Sequence, residues 1–169
     1  MGIRGTIDPG KAVMFAYAAI SIGDILAGFV SQWMKSRKKA LYVYYVITAL
    51  SILWFFNLKG SDVSTLYIVC ALMGFGTGFW AIFVTMAAEQ FGTNIRATVA
   101  TTVPNMVRGS LTIVSLLFTQ LQRSVDYVTA GWITGIVVMV IGIVSVVLAE
   151  ETFHKDLNYL EGEVATLPS

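Results

Sequence analysis

The chain has 169 residues, 56% of them apolar and 12% charged, whereas soluble domains run near 25% charged; with a mean hydropathy of +0.75, water is excluded as its main solvent. A net charge of +1 excludes the basic footprint of a nucleic-acid binder, and a single cysteine excludes an internal disulfide framework.

Residues 1–11, MGIRGTIDPG and Lys11, are polar and glycine-rich and lead into a long apolar run, unlike a cleavable signal with its short hydrophobic centre. Spanning a hydrocarbon core of ~30 Å takes about 20 mainly apolar residues. Five windows of that length follow, at 12–34, 40–58, 66–88, 103–121 and 128–149. The joins between them (KSRKK, KGSD, EQFGTNIR, QRSVD) are short and polar, so sequential helices are expected to be antiparallel neighbours in one all-α bundle over 12–149.

The first window carries Asp24, eleven residues before Lys35, or roughly 16 Å of helix from that end and close to the midplane. A charge there costs at least ~2.5–3.5 kcal/mol on insertion scales, so it asks for a partner in protein or water. The following join holds Lys35, Arg37, Lys38 and Lys39. Cytoplasmic loops carry the excess of Lys and Arg. Placing this join inside also places Arg96 and Lys155 inside, with Arg4, Lys11, Lys59 and Arg123 outside. The expected topology is an integral plasma (inner) membrane protein with its N-terminus outside and its C-terminus cytoplasmic. The basic run also reads as a solvated cluster or an anionic-lipid contact, either compatible with that side.

The second and fifth windows contain no charged residue and are expected to face lipid. The third has Gly74 and Gly78 in the small-xxx-small spacing that lets helix backbones approach, and Gly131 and Gly135 repeat it in the fifth. Trp80, Phe79 and Phe83 line a pocket or face lipid; one sequence does not choose between these. Cys70 sits in an apolar run without the His or Cys neighbours that a metal or nucleophile site needs, which makes it a packing residue.

In the fourth window, TTVPNMVRGS gathers Pro104, Asn105, Arg108 and Gly109. Pro104 cannot donate to the Ala100 carbonyl, so a kink or hinge is expected around Pro104 and Gly109. Thr101, Asn105, Arg108 and Thr112 fall on one helix face and are the best candidate for a cavity lining. Arg108 lies twelve residues after Arg96 and reaches a depth similar to that of Asp24 from the same side. On the functional reading Arg108 holds an anionic substrate group while Asp24 binds a coupling cation or proton. On the structural reading the two are a fixed ion pair, and the Thr, Asn and Gly residues bind helices together. Residues 150–169 are expected to be a cytoplasmic tail, with Phe153, Leu157, Leu160 and Val164 as the apolar face of a short surface helix and His154, Lys155, Asp156, Glu161 and Glu163 between them.

Three segments carry a family resemblance. GDILAGFVSQWMKSRKKAL resembles the signature that major facilitator superfamily (MFS) transporters carry between helices two and three and again between eight and nine. Gly28, Ser31, Arg37, Lys38 and Lys39 fit its outline, with Gln32 in place of the acidic residue. AAEQFGTNIRAT is similar to the E-x-F-P-T-x-x-R segment after the tenth helix, with Glu89, Phe91, Thr93 and Arg96 in place and Gly92 replacing proline. EETFHKDL is similar to the P-E-T segment after the twelfth helix, through Glu151 and Thr152.

The resemblance implies that the five windows correspond to helices eight to twelve of a twelve-helix MFS fold, covering nearly the whole chain. It further implies a cytoplasmic gating network of Glu89, Arg96, Arg37, Lys38 and Lys39, and substrate or coupling-ion candidates in Asp24, Asn105 and Arg108, to which the reading of the helices themselves adds Trp80 and Thr112. The expected function is the C-terminal part of a secondary active transporter. It would move a small, anionic or hydroxylated metabolite by alternating access, with cation or proton coupling, in the lipid bilayer. A missing N-terminal half would be its partner, without which no transport is expected. The alternatives are a non-transporting membrane scaffold or assembly protein and a decayed fragment. Neither an enzymatic centre, a cofactor nor a metal is expected, because no paired carboxylates, His cluster or phosphate-cradling loop stands out.

Overall fold

The computed structural model describes residues 5–155, Asn158 and Leu160. Those residues are 78% helical and include no strand. The helices are α1 (Pro9–Met34), α2 (Arg37–Phe56), α3 (Val63–Thr77), α4 (Trp80–Glu89), α5 (Arg96–Leu121) and α6 (Tyr127–Leu148). Four segments are long and apolar enough to cross a membrane: Pro9–Met34, Arg37–Phe56, Val63–Glu89 and Tyr127–Leu148. α5, with 26 residues, would reach about 39 Å at 1.5 Å per residue and has the length. Arg96, Asn105, Arg108 and its threonines leave it outside that apolar set.

The chain forms two compact units, Met1–Ile82 and Phe83–Ser169. In the first, α1, α2 and α3 pack together. Asp8 opens α1: its Oδ1 accepts from the N–H groups of Gly10 and Lys11 at 2.9 and 3.3 Å, and Pro9 occupies the first turn, where its missing donor costs nothing. The Tyr67 hydroxyl of α3 accepts from the Asp8 N–H at 3.1 Å, tying the two helix starts together. At the other end, Lys35 adopts a left-handed conformation (φ 49°) and Ser36 accepts from the Lys39 N–H at 3.1 Å. α1 therefore stops and α2 starts within two residues. Arg37 Nη1 donates to the fully buried Ser31 Oγ at 3.1 Å, joining two residues of the first family-like segment.

Burial in α1 is confined to Gly23, Ala27 and Ser31, a stripe of small residues at four-residue spacing, so backbone rather than side chain meets α3. A Cβ on Gly23 would fall 2.6 Å from the Phe75 carbonyl oxygen, and one on Gly78 would lie 2.7 Å from that of Ile20. A Cβ on Gly74 would press on the Ala16 carbonyl. The Gly74/Gly78 spacing thus marks a real close approach, whereas a Cβ on Gly135 would meet nothing within 4 Å. α2 is not turned wholly outward: Ala40, Leu41, Tyr44, Thr48 and Ser51 are buried, because Gly76 leaves room for Thr48 to pack against it. Leu58, Leu66 and Val69 form an apolar cluster against which Phe55, Cys70 and Met73 pack, giving Cys70 a packing role.

In the second unit, α5 and α6 are mostly accessible, with Pro104 the one α5 residue that is buried and Ala130, Thr134 and Val146 those of α6. α5 runs unbroken through Pro104 and Gly109. Asp126 caps α6: its Oδ1 accepts from Thr129 Oγ1 at 2.6 Å, and its Oδ2 accepts from the N–H groups of Val128 and Thr129 at 3.1 Å each. The Thr129 side-chain hydrogen bond, followed by the backbone N–H bonds, holds this carboxyl below its ordinary range. A lowered folded-state value means that the cap is fully formed above the unfolded value of ~3.9 and is lost as pH falls through the folded value. We expect the Val128 and Thr129 amide resonances to shift as pH is lowered from about 6 to about 3. Asp126→Asn, which keeps the cap but cannot ionise, should abolish that response; a response surviving in this variant would refute the assignment.

Candidate functional site

The third window, expected as one helix, is two. Three glycines within five residues (Gly74, Gly76, Gly78) lower helix propensity, and the Thr77 hydroxyl turns back to donate to the carbonyls of Gly74 and Met73 at 2.9 and 3.1 Å. The chain then tightens: the Gly78 N–H donates to the Phe75 carbonyl at 3.0 Å and the Phe79 N–H to the Thr77 carbonyl at 2.9 Å. α3 ends here, and α4 starts at Trp80 with first-turn N–H groups that have no partner inside the helix.

Asp24 meets this second start. Its Oδ1 accepts from the Ala81 N–H at 2.9 Å, so a carboxylate on α1 caps α4 from outside the helix. The negative group sits at the positive end of the α4 dipole, the favourable arrangement. Asp24 is held in place from the residue before it. The Tyr44 hydroxyl donates to the Gly23 carbonyl at 2.7 Å, and the Tyr44 ring, 1% exposed, stacks on Phe75 at 5.7 Å and meets Phe79 edge-on at 6.4 Å. Phe79 also packs on Tyr45 at 5.4 Å. Phe79 is therefore an inward residue, and Trp80 is the first residue of α4. Within this unit, the partner that Asp24 finds is an amide of the interrupted helix.

In the second unit, Thr101, Asn105, Arg108 and Thr112 all lie on the accessible surface of α5 at the spacing of a single face. The Thr101 hydroxyl donates to the carbonyls of Thr98 and Ala97 at 2.9 and 3.3 Å, which satisfies it within its own helix. Arg108 and Asp24 belong to different units, each described on its own.

The other site of this unit is polar and buried. Thr152, 2% exposed, donates its hydroxyl to Glu89 Oε2 at 2.6 Å, although 63 residues separate them. Glu151 Oε1 accepts from the N–H groups of Thr152 and Phe153 at 3.1 and 3.2 Å, Lys155 Nζ donates to the Gln90 carbonyl at 3.3 Å, and Arg96 Nη2 donates to the Phe91 carbonyl at 3.2 Å. The segment after α6 is thus fastened to the end of α4 and to the turn after it. These contacts override the expected tail helix at its start: Phe153 and His154 form a turn closed by the Lys155 N–H on the Thr152 carbonyl at 3.1 Å. The remainder of that expected helix, with Asp156, Leu157, Glu161, Glu163 and Val164, lies outside the described residues, as does Arg4. Arg37, Lys38 and Lys39 belong to the first unit, at the start of α2.

An apolar cleft of about 520 Å³ opens beside α1 and α3, lined by Phe15, Ala19, Tyr67, Ile68, Ala71 and Phe75, and includes none of the expected substrate residues. Among the described residues no group of three His, Cys, Asp or Glu side chains is placed to hold a metal ion. In comparisons with known proteins, no family model matches the chain, and neither a curated protein nor a solved structure matches it.

Proposed function

We propose that the chain is the C-terminal part of a secondary active transporter of the major facilitator type, with α1, α2, the interrupted α3–α4, α5 and α6 as its five spans. The observation that carries this reading is the interruption at Gly78 and Phe79 with a carboxylate on it. Discontinuous helices beside an ionisable residue near the midplane are how many secondary transporters build coupling sites. Non-helical backbone at membrane depth persists only where protein or a water-filled cavity surrounds it.

Two further features support the reading. Glu89 and Thr152, which come from two separate family-like segments, are hydrogen-bonded to each other. The polar face of α5 (Asn105, Arg108, Thr112) is accessible and too polar for lipid, so it requires a covering partner or water. In the proposed protein an N-terminal half supplies that cover. Asn105, Arg108 and Thr112 then line the path of a small anionic or hydroxylated metabolite, with Asp24 as the coupling carboxylate and Trp80 beside it. Glu89 and Arg96, with Arg37, Lys38 and Lys39, act as charges biasing a two-state equilibrium. Lys35 and the basic residues after it put the α1–α2 turn on the cytoplasmic side of the plasma membrane, leaving the N-terminus outside.

A second reading, a non-transporting membrane scaffold, draws on the same carboxylate, since Asp24 already has a structural use as a helix cap. Uptake into proteoliposomes holding this chain together with its N-terminal half separates the two. With Asp24→Asn, substrate accumulation driven by a proton or sodium gradient should be lost while insertion and helicity are kept. Coupling unchanged by the substitution would remove Asp24 from that role, and absence of any gradient-driven uptake by the unmodified pair would favour the scaffold.

A further inference from the structure

We infer that Asp24 and the α3–α4 interruption form a proton-sensitive latch, in which the ionised carboxylate holds the start of α4 against α1 and its protonation releases it. The inference goes beyond transport, because it concerns the backbone of one helix and stands whether or not the chain moves a solute.

The geometry supplies three parts. The joint is the stretch Thr77 to Phe79, where i→i+4 bonding stops and only the short Gly78–Phe75 and Phe79–Thr77 contacts remain. The anchor is α1, fixed beside the joint by the close approaches of Gly23 and Gly78 and by the Tyr44 hydroxyl on the Gly23 carbonyl. The fastener is the bond from the Ala81 N–H to Asp24 Oδ1. Among the described residues it is this oxygen alone of the two that is engaged.

Ionised, Asp24 accepts a charge-assisted hydrogen bond and offsets the positive end of the α4 dipole. When a proton from water binds the carboxylate, both the charge and the dipole interaction vanish, and the remaining neutral hydrogen bond is about half as strong. Within the first unit and among the described residues, no other strongly ionising group faces the site. α2 presents Tyr44 and Tyr45. Residues 71–88 contain nothing that ionises, and on α1 itself Lys11 and Lys35 stand thirteen and eleven residues away. The start of α4 is therefore fastened by one carboxyl group, Asp24.

The test is a pH titration by NMR of the full chain in lipid nanodiscs, following the Asp24 side-chain carbonyl carbon and the Ala81 amide together. We expect the Ala81 amide proton to move upfield as Asp24 protonates, with one shared midpoint, and Phe79 and Trp80 amides to follow. In Asp24→Asn the Ala81 amide should no longer respond to pH. An Ala81 amide that stays fixed while Asp24 titrates overturns the latch. So does an Asp24 that never protonates over the range in which the protein stays folded, or an Ala81 response that survives in Asp24→Asn. The unmodified chain decides the matter alone if the variant does not fold, and no outcome depends on uptake.

Discussion

Replacing Gly74 with leucine should separate α1 from α3 and sharply lower the stability of the first unit. A Cβ at this position falls on the backbone carbonyl of Ala16, which no side-chain rotation can move aside. Overpacking of a well-packed site costs about 1–3 kcal/mol where flexible neighbours can yield, and here the rigid backbone puts the expected cost at the top of that range. Within a membrane the loss is of van der Waals contact, since lipid is as apolar as the side chains and no hydrophobic drive compensates. SDS titration followed by circular dichroism reads it as a lower unfolding midpoint. Gly135→Leu is the matched control, because nothing lies within 4 Å of its added Cβ, and its midpoint should stay within error of the parent. Equal midpoints for Gly74→Leu and the parent would refute the close approach.

Removing the acceptor at Glu89 should release the segment after α6. Thr152 is 2% exposed and donates to Glu89 Oε2 at 2.6 Å. Glu89→Ala leaves a buried hydroxyl without that acceptor, at a cost of about 1–3 kcal/mol. When opening is fast relative to cleavage, that cost converts to a roughly 5- to 150-fold larger open population. Trypsin cleavage after Lys155 in detergent should accelerate accordingly, while Glu89→Gln, which keeps an oxygen acceptor, falls between. Thr152→Val removes the donor and tests the same contact from the other side. If cleavage were accelerated no more in the double variant than in either single one, the two residues act through one bond; additive rates would count against it.

Much of this fold was legible because apolar length is a strong signal. Helices were expected at 12–34, 40–58 and 128–149, and α1, α2 and α6 occupy those places within a few residues. α5 extends back to Arg96, seven residues before the expected start at 103, because the turn residues preceding the apolar run continue its helix. The need of Asp24 for a partner was also readable from its place inside an apolar run. Its partner was not. A backbone N–H exposed by a helix break has no residue type to announce it, and Gly74 and Gly78 had been read for close packing alone. The cue was present in GFGTG, where three glycines and a back-bonding threonine weaken the same turn. The Glu89–Thr152 contact spans 63 residues, a distance over which two recognisable segments carry no information about each other until the chain folds. At the start of the tail, periodicity from Phe153 onward favoured a helix, but Glu151 captured the first N–H groups and the Thr152 hydroxyl bonded to Glu89, so Phe153 and His154 form a turn.

The turn at Lys35 and Ser36 has a consequence for the two helices it joins. With two residues between the last turn of α1 and the first of α2, neither helix is free to take an orientation independent of the other. The two are tied as one hairpin whose bend carries the basic residues Lys35, Arg37, Lys38 and Lys39. The left-handed backbone at Lys35 is thus a coupling element as much as a helix terminus. A lengthened turn would loosen that coupling between the two helices before it disturbed the packing of the finished structure.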